Sequence, residues 1–135
     1  MDGGTLATAA RLRERIEALP PEQRVFELLV VTHIDGDHID GALSFLTSPP
    51  PEGLQILDIW FNGWKHLPQT LEPLGPVAGE KLTRWIRASG VAWNDAFNDG
   101  AVVVGDDSPL PEKRLPGGMC LTVLSPGVEQ LARLQ

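Results

Sequence analysis

Cysteine is almost missing from this chain: Cys120 is the only one in 135 residues. An internal disulfide framework and a cysteine-cluster zinc site are therefore both excluded. Flanked by Met119 and Leu121 in an apolar, strand-like run, Cys120 reads as a buried structural thiol rather than a nucleophile. Long apolar runs are absent too. No stretch approaches the roughly 20 residues that a bilayer span needs, so no membrane association is expected. The opening Met1-Asp2-Gly3-Gly4 has neither the basic nor the apolar region of a secretory leader, and a cytoplasmic location is expected. Basic charge is scarce as well, with 11 Lys and Arg against 18 Asp and Glu, a net charge of −7. Such a surface repels phosphate backbones, and general nucleic-acid binding is not expected.

What is present suits one globular domain: 42% of residues are apolar, spread in short periodic runs. From Thr5 to Leu19, apolar residues recur every three or four positions (Leu6, Ala9, Leu12, Ile16, Leu19), the stripe of an amphipathic helix that Pro20 and Pro21 stop. Arg24 to Thr32 reads as a strand. Its continuous apolar stretch Leu28 to Val31 predicts an interior position covered on both faces. Ile39, Ala42, Leu43 and Leu46 trace a second helix, ended by Ser48-Pro49-Pro50-Pro51. Leu54 to Phe61 predicts another strand, and Trp64 to Val77 an irregular segment. Glu80 to Ser89 is a further helix with Gly90 as its stop. Ala101 to Val104 and Met119 to Leu124 read as strands, and the leucines at 131 and 134 as the start of a last helix. Strands alternating with helices define an α/β class, in which function collects in the loops that leave the carboxyl ends of strands.

One such loop stands out. His33-Ile34-Asp35-Gly36-Asp37-His38 places two imidazoles and two carboxylates directly after an apolar strand and before a helix. If the loop is extended, His33, Asp35 and Asp37 share one side, and His38 follows at the turn into the helix. Four ligands from so short a segment strain around one tetrahedral ion but divide readily between two neighbouring ions. The donor types suit zinc, and also iron or manganese. Gly36 allows a tight fold between ligands, and Gly41 allows close packing inside the helix. The competing reading is a polar loop in which Asp37 or Asp40 merely caps the helix, a role assigned here to Asp40. A calcium loop of the EF-hand type does not fit. Counted from Asp35, the sixth position is Asp40 and the twelfth Leu46, where Gly and Glu are required.

The run Thr32 to Gly41 resembles the metal-binding signature His-x-His-x-Asp-His of the metallo-β-lactamase superfamily, in the strand–loop–helix setting expected of it. Asp35 stands where the second histidine usually does. This His-x-Asp-x-Asp-His variant is similar to the branch that contains the metallo-β-lactamase-like domain of the ComEC/Rec2 competence proteins. Asp2-Gly3-Gly4 matches the end of an early strand in that fold, and Trp93-Asn94 and Leu121 to Pro126 match weaker pieces of it. The resemblance implies an αββα sandwich, of which this chain would be a part, without the first strands and the C-terminal half. It implies two zinc ions, His33 and Asp35 serving the first, Asp37 and His38 the second. Asp37 would also orient or deprotonate the attacking water. The implied activity is hydrolysis by a metal-bound hydroxide, on a phosphodiester or ester bond of a small substrate.

The later ligands of such a site are not evident. His66 and the pair Asp106-Asp107 are candidates, and each reads better as a loop residue than as a ligand. A partial domain would expose a sheet edge, a setting for homodimerisation. The alternative function is a non-enzymatic metal-binding or interaction module. A third is a di-iron oxidoreductase built on the same ligand frame.

Overall fold

Three parallel strands form the main sheet, in the order β1 (Val25–Val30), β2 (Gln55–Trp60) and β3 (Ala92–Trp93). This is a computed structural model, and it describes residues 2–67, 77–106 and 108–133. Parallel neighbours need a long crossover. Helices α2 (Gly36–Thr47) and α3 (Val77–Ser89) make the two that are needed here, and α1 (Leu6–Glu17) precedes β1. The class is α/β, with a small parallel sheet.

Helix α2 packs against both α1 and α3. That middle position explains why its apolar residues run so far round the helix: Ile39, Ala42, Leu43, Phe45 and Leu46 are all buried. They join Ile16 of α1, Leu82 and Ile86 of α3, Ile59 and Trp93 of the sheet, and Phe61 just after β2 in one core. The extended segment before α1 lies across α2. The Gly3 N–H donates to the His38 carbonyl (2.9 Å), and the Gly41 N–H to the Gly4 carbonyl (2.8 Å). A β-carbon on Gly41 would run into the Gly3 carbonyl, and one on Gly3 into the Ala42 backbone, so both glycines are there for the approach. Arg24, buried ahead of β1, donates to the carbonyls of Glu17, Leu19 and Glu52, which ties the end of α1 to the turn before β2.

The remaining elements are peripheral: an antiparallel hairpin of β4 (Glu112–Arg114) and β5 (Cys120–Thr122), and a short α4 (Val128–Ala132). Here the structure departs from the sequence pattern. Ala101 to Val104 forms no strand, only a bridge from Val104 to Gly127. Val102 instead exchanges two hydrogen bonds of 2.8 Å with the side-chain amide of Asn62, which substitutes for a neighbouring strand. Cys120 is exposed, not buried: among the described residues its hairpin has no further strand beside it, and Met119 and Leu124 are exposed with it. Nor is β1 interior: among the described residues it has a strand neighbour on one side only, and Leu28 to Val30 are half-buried. Residues 68–76, most of the expected irregular segment, lie outside the described residues, as do Asp107 and Leu134.

Candidate metal centre

Strand β1 ends at Val30, and α2 begins at Gly36. The helix therefore starts inside the four-residue set rather than after it. His33 remains on the extended stretch, Asp35 is the N-cap, and Asp37 and His38 lie in the first helical turn. The expected extended face shared by His33, Asp35 and Asp37 does not form, because helical geometry turns Asp37 away from the strand's alternation. Asp40 is likewise not a cap but a residue of the helix, beside Gly36, where an added β-carbon would come within 2.8 Å of its carboxylate. Asp35 caps by backbone alone: its side chain makes no capping hydrogen bond, and its carbonyl accepts from His38 and Ile39 (2.8 and 3.0 Å). Both Asp35 and Asp37 sit at the N-terminal end of α2.

The four side chains meet as two imidazole–carboxylate pairs. His33 Nε2 is 3.3 Å from Asp35 Oδ2, and His38 Nε2 is 3.6 Å from Asp37 Oδ2. The two rings touch, with centroids 3.8 Å apart and planes tilted by 38°. The carboxylates are open to solvent, with 73% and 70% of their side chains exposed against 35% and 32% for the imidazoles. Among the described residues no Lys or Arg forms an ion pair with these carboxylates. No three His, Cys, Asp or Glu side chains among them converge as a ready-made cage for one ion.

Behind the rings stands Asp2, which the sequence marks only as the end of an early strand. Its carboxylate accepts the Thr32 N–H (2.7 Å) and the Thr32 hydroxyl (2.9 Å), and lies 3.2 Å from His38 Nδ1. Thr32 Oγ1 is in turn 3.2 Å from His33 Nδ1. The hydrogen-bond network assigns the tautomers. A hydroxyl that donates to Asp2 accepts from His33 Nδ1–H, and Asp2 accepts from His38 Nδ1–H. Both rings then carry a proton on Nδ1, and Nε2 is the atom facing the carboxylates. Burial pushes the Asp2 carboxyl up, but the Thr32 amide, the His38 ring and the Thr32 hydroxyl outweigh it and hold the carboxyl below its ordinary value. The sequence signal was slight: an acid before two glycines, 36 residues from its histidine partner.

His66 does not offer a third ligand in this arrangement. It lies in a short turn, Trp64–His66, after β2, and both its ring nitrogens are engaged by backbone. Nδ1 accepts the Gly63 N–H (3.1 Å), and Nε2 lies 3.2 Å from the Asp99 carbonyl. Asp106 is exposed. No protein-family model, curated protein or solved structure matches this chain.

Proposed function

We propose that this chain belongs to a metal-dependent hydrolase of metallo-β-lactamase type, with His33, Asp35, Asp37 and His38 as metal ligands. The observation that carries the reading is the pairing of two imidazole Nε2 atoms with two carboxylates at the mouth of a parallel strand. The donor set fits the group. Two imidazole nitrogens and two exposed carboxylates that, among the described residues, have no Lys or Arg partner are a mixed nitrogen and oxygen set suited to zinc, manganese or iron. His33 with Asp35 would hold one ion, and Asp37 with His38 the second. When bound, such ions supply a water of lowered pKa and an electrophile for the scissile bond.

The chain's own residues have the remaining tasks. Asp2, directly and through Thr32, keeps both rings in one tautomer. Asp37, at the helix start and open to solvent, is placed to orient or accept a proton from a water. The small sheet with helices on it is one half of what an αββα sandwich requires, and the side of β1 away from β2, which has no strand neighbour among the described residues, is where a further strand or a second copy would add. The net charge of −7 favours a small ester or phosphodiester over polymeric nucleic acid.

The test is calorimetric titration with zinc, followed by hydrolysis of a chromogenic phosphodiester. Two ions per chain and an activity removed by His33→Ala are expected. A metal-loaded chain without activity, indistinguishable from His33→Ala, would overturn the hydrolase. One observation favours a second reading, a metal-binding or interaction module without catalysis: the lack of three converging ligands among the described residues. Weak binding of a single ion would select it.

A further inference from the structure

His66 joins two loops that leave the same carboxyl end of the sheet. Its Nδ1 accepts the Gly63 N–H of its own turn, after β2, and its Nε2 donates to the Asp99 carbonyl, in the loop after β3. Only a neutral ring with its proton on Nε2 satisfies both partners. The surroundings are tight. The ring stands edge-on to Trp93, with centroids 4.8 Å apart, and Asn94 Nδ2 is 3.5 Å from Nε2. Asn94, fully buried, holds the loop after β3 in place through Phe61 and Gly100.

A proton added at Nδ1 sets two donors against each other across the 3.1 Å between His66 and the Gly63 N–H. Gly63 cannot retreat inward, since the space for a β-carbon there is taken by the Trp93 ring (2.8 Å) and the Thr83 hydroxyl (3.0 Å). The ring has to move instead, and when it does the bond to Asp99 goes with it. We propose that His66 is a proton-operated latch that pins the loop after β2 to the loop after β3 and releases it in mild acid.

The charges acting on the ring agree with this. Burial is the main influence holding His66 below an ordinary histidine, and the ammonium of Lys65, stacked over Trp93 at 4.2 Å, adds to it. Asp99 opposes both through its carbonyl and its charge. Among the described residues, the other elements against the ring contribute uncharged groups: Trp93 and Asn94 from the strand β3 and its end, and Thr83 of α3 at the Gly63 backbone.

The latch is tested by nuclear magnetic resonance on the whole chain from pH 7.5 to pH 5, without metal. His66→Asn is the control, because its side-chain oxygen can take the place of Nδ1 without titrating. In the parent, the His66 ring should titrate below an ordinary histidine. Protection of the Gly63 amide, corrected for the intrinsic exchange rate, should fall by up to about tenfold per pH unit between the ordinary value of a released ring and the lowered value of the latched one, and level off below that. In His66→Asn the protection should stay flat. The proposal is overturned if His66 titrates at or above the ordinary value, or if Gly63 protection in the parent is independent of pH. It is overturned equally if His66→Asn folds and shows the parent's pH dependence. Should that variant fail to fold, the ring titration and the Gly63 protection in the parent decide the matter by themselves.

Discussion

The carboxylate of Asp2 lies 3.2 Å from Nδ1 of His38, although 36 residues separate them. The same carboxylate holds Thr32, and through it the ring of His33. One acid on a glycine-rich segment therefore orients both imidazoles of the candidate centre.

Replacing Asp2 by Asn keeps the shape but leaves an amide where the Thr32 N–H, the Thr32 hydroxyl and His38 Nδ1–H all need an acceptor. Charge-assisted bonds of this kind contribute about 1.5–3 kcal/mol each, and partial retention by the amide oxygen should limit the loss to about 2 kcal/mol in a denaturant titration. Zinc affinity should drop by about 10- to 100-fold, the usual effect of removing a group that orients a ligand. An Asp2→Asn protein that binds zinc like the parent would show that the rings need no anchor.

Gly41→Ala should be destabilising although alanine is the better helix former by about 1 kcal/mol. The new methyl meets the Gly3 carbonyl, and the segment carrying Asp2 has to lift off α2. A loss of about 1–3 kcal/mol, typical of overpacking, is expected in thermal unfolding. A zinc titration should weaken in parallel, because Asp2 moves with the segment.

Asn94→Ala removes a fully buried amide that accepts the Phe61 N–H (2.9 Å) and donates to the Gly100 carbonyl (2.9 Å). Its backbone is also left-handed, with φ at 56°, a conformation asparagine tolerates better than alanine. The orphaned groups and the backbone together should cost about 3 kcal/mol or more, read from chemical denaturation.

Stability should decline in mild acid, and His66 gives the sign. Its folded value is lowered, so the unfolded chain takes up the proton first. The contribution of His66 is complete above the ordinary histidine range of about 6.5 and is lost as pH falls through that value towards the folded one. Melting temperatures of the parent and His66→Asn, compared at pH 7.5 and pH 5, should show the smaller drop in the variant. Equal drops would assign the acid sensitivity to other groups.

The sequence was informative wherever periodicity and punctuation acted locally. The stripe from Leu6 to Leu19, the prolines behind it, and the apolar spacing of Ile39 to Leu46 all mark real elements, because a helix is specified by its own residues. The four donors of the loop were visible for the same reason. The arrangement around them was not. Whether Asp37 lies on an extended face or in a helical turn depends on where α2 nucleates, and the start at Gly36 is compatible with either pattern. Asp2 and Asn62 act through contacts 30 to 40 residues away in the chain, and no local period records them. Ala101 to Val104 had the composition of a strand and lost that role to a side-chain amide. Cys120 had buried neighbours in sequence only; exposure depends on what lies next to the hairpin, which the residues around it do not encode.

That exposed thiol has a practical bearing on any measurement of assembly. With no second cysteine in the chain, air oxidation can give Cys120 a disulfide only to another molecule. A sample kept without reductant would therefore accumulate covalently linked pairs, which gel filtration could not tell from an association through the side of β1 away from β2. Mass measured before and after a reducing agent separates the two.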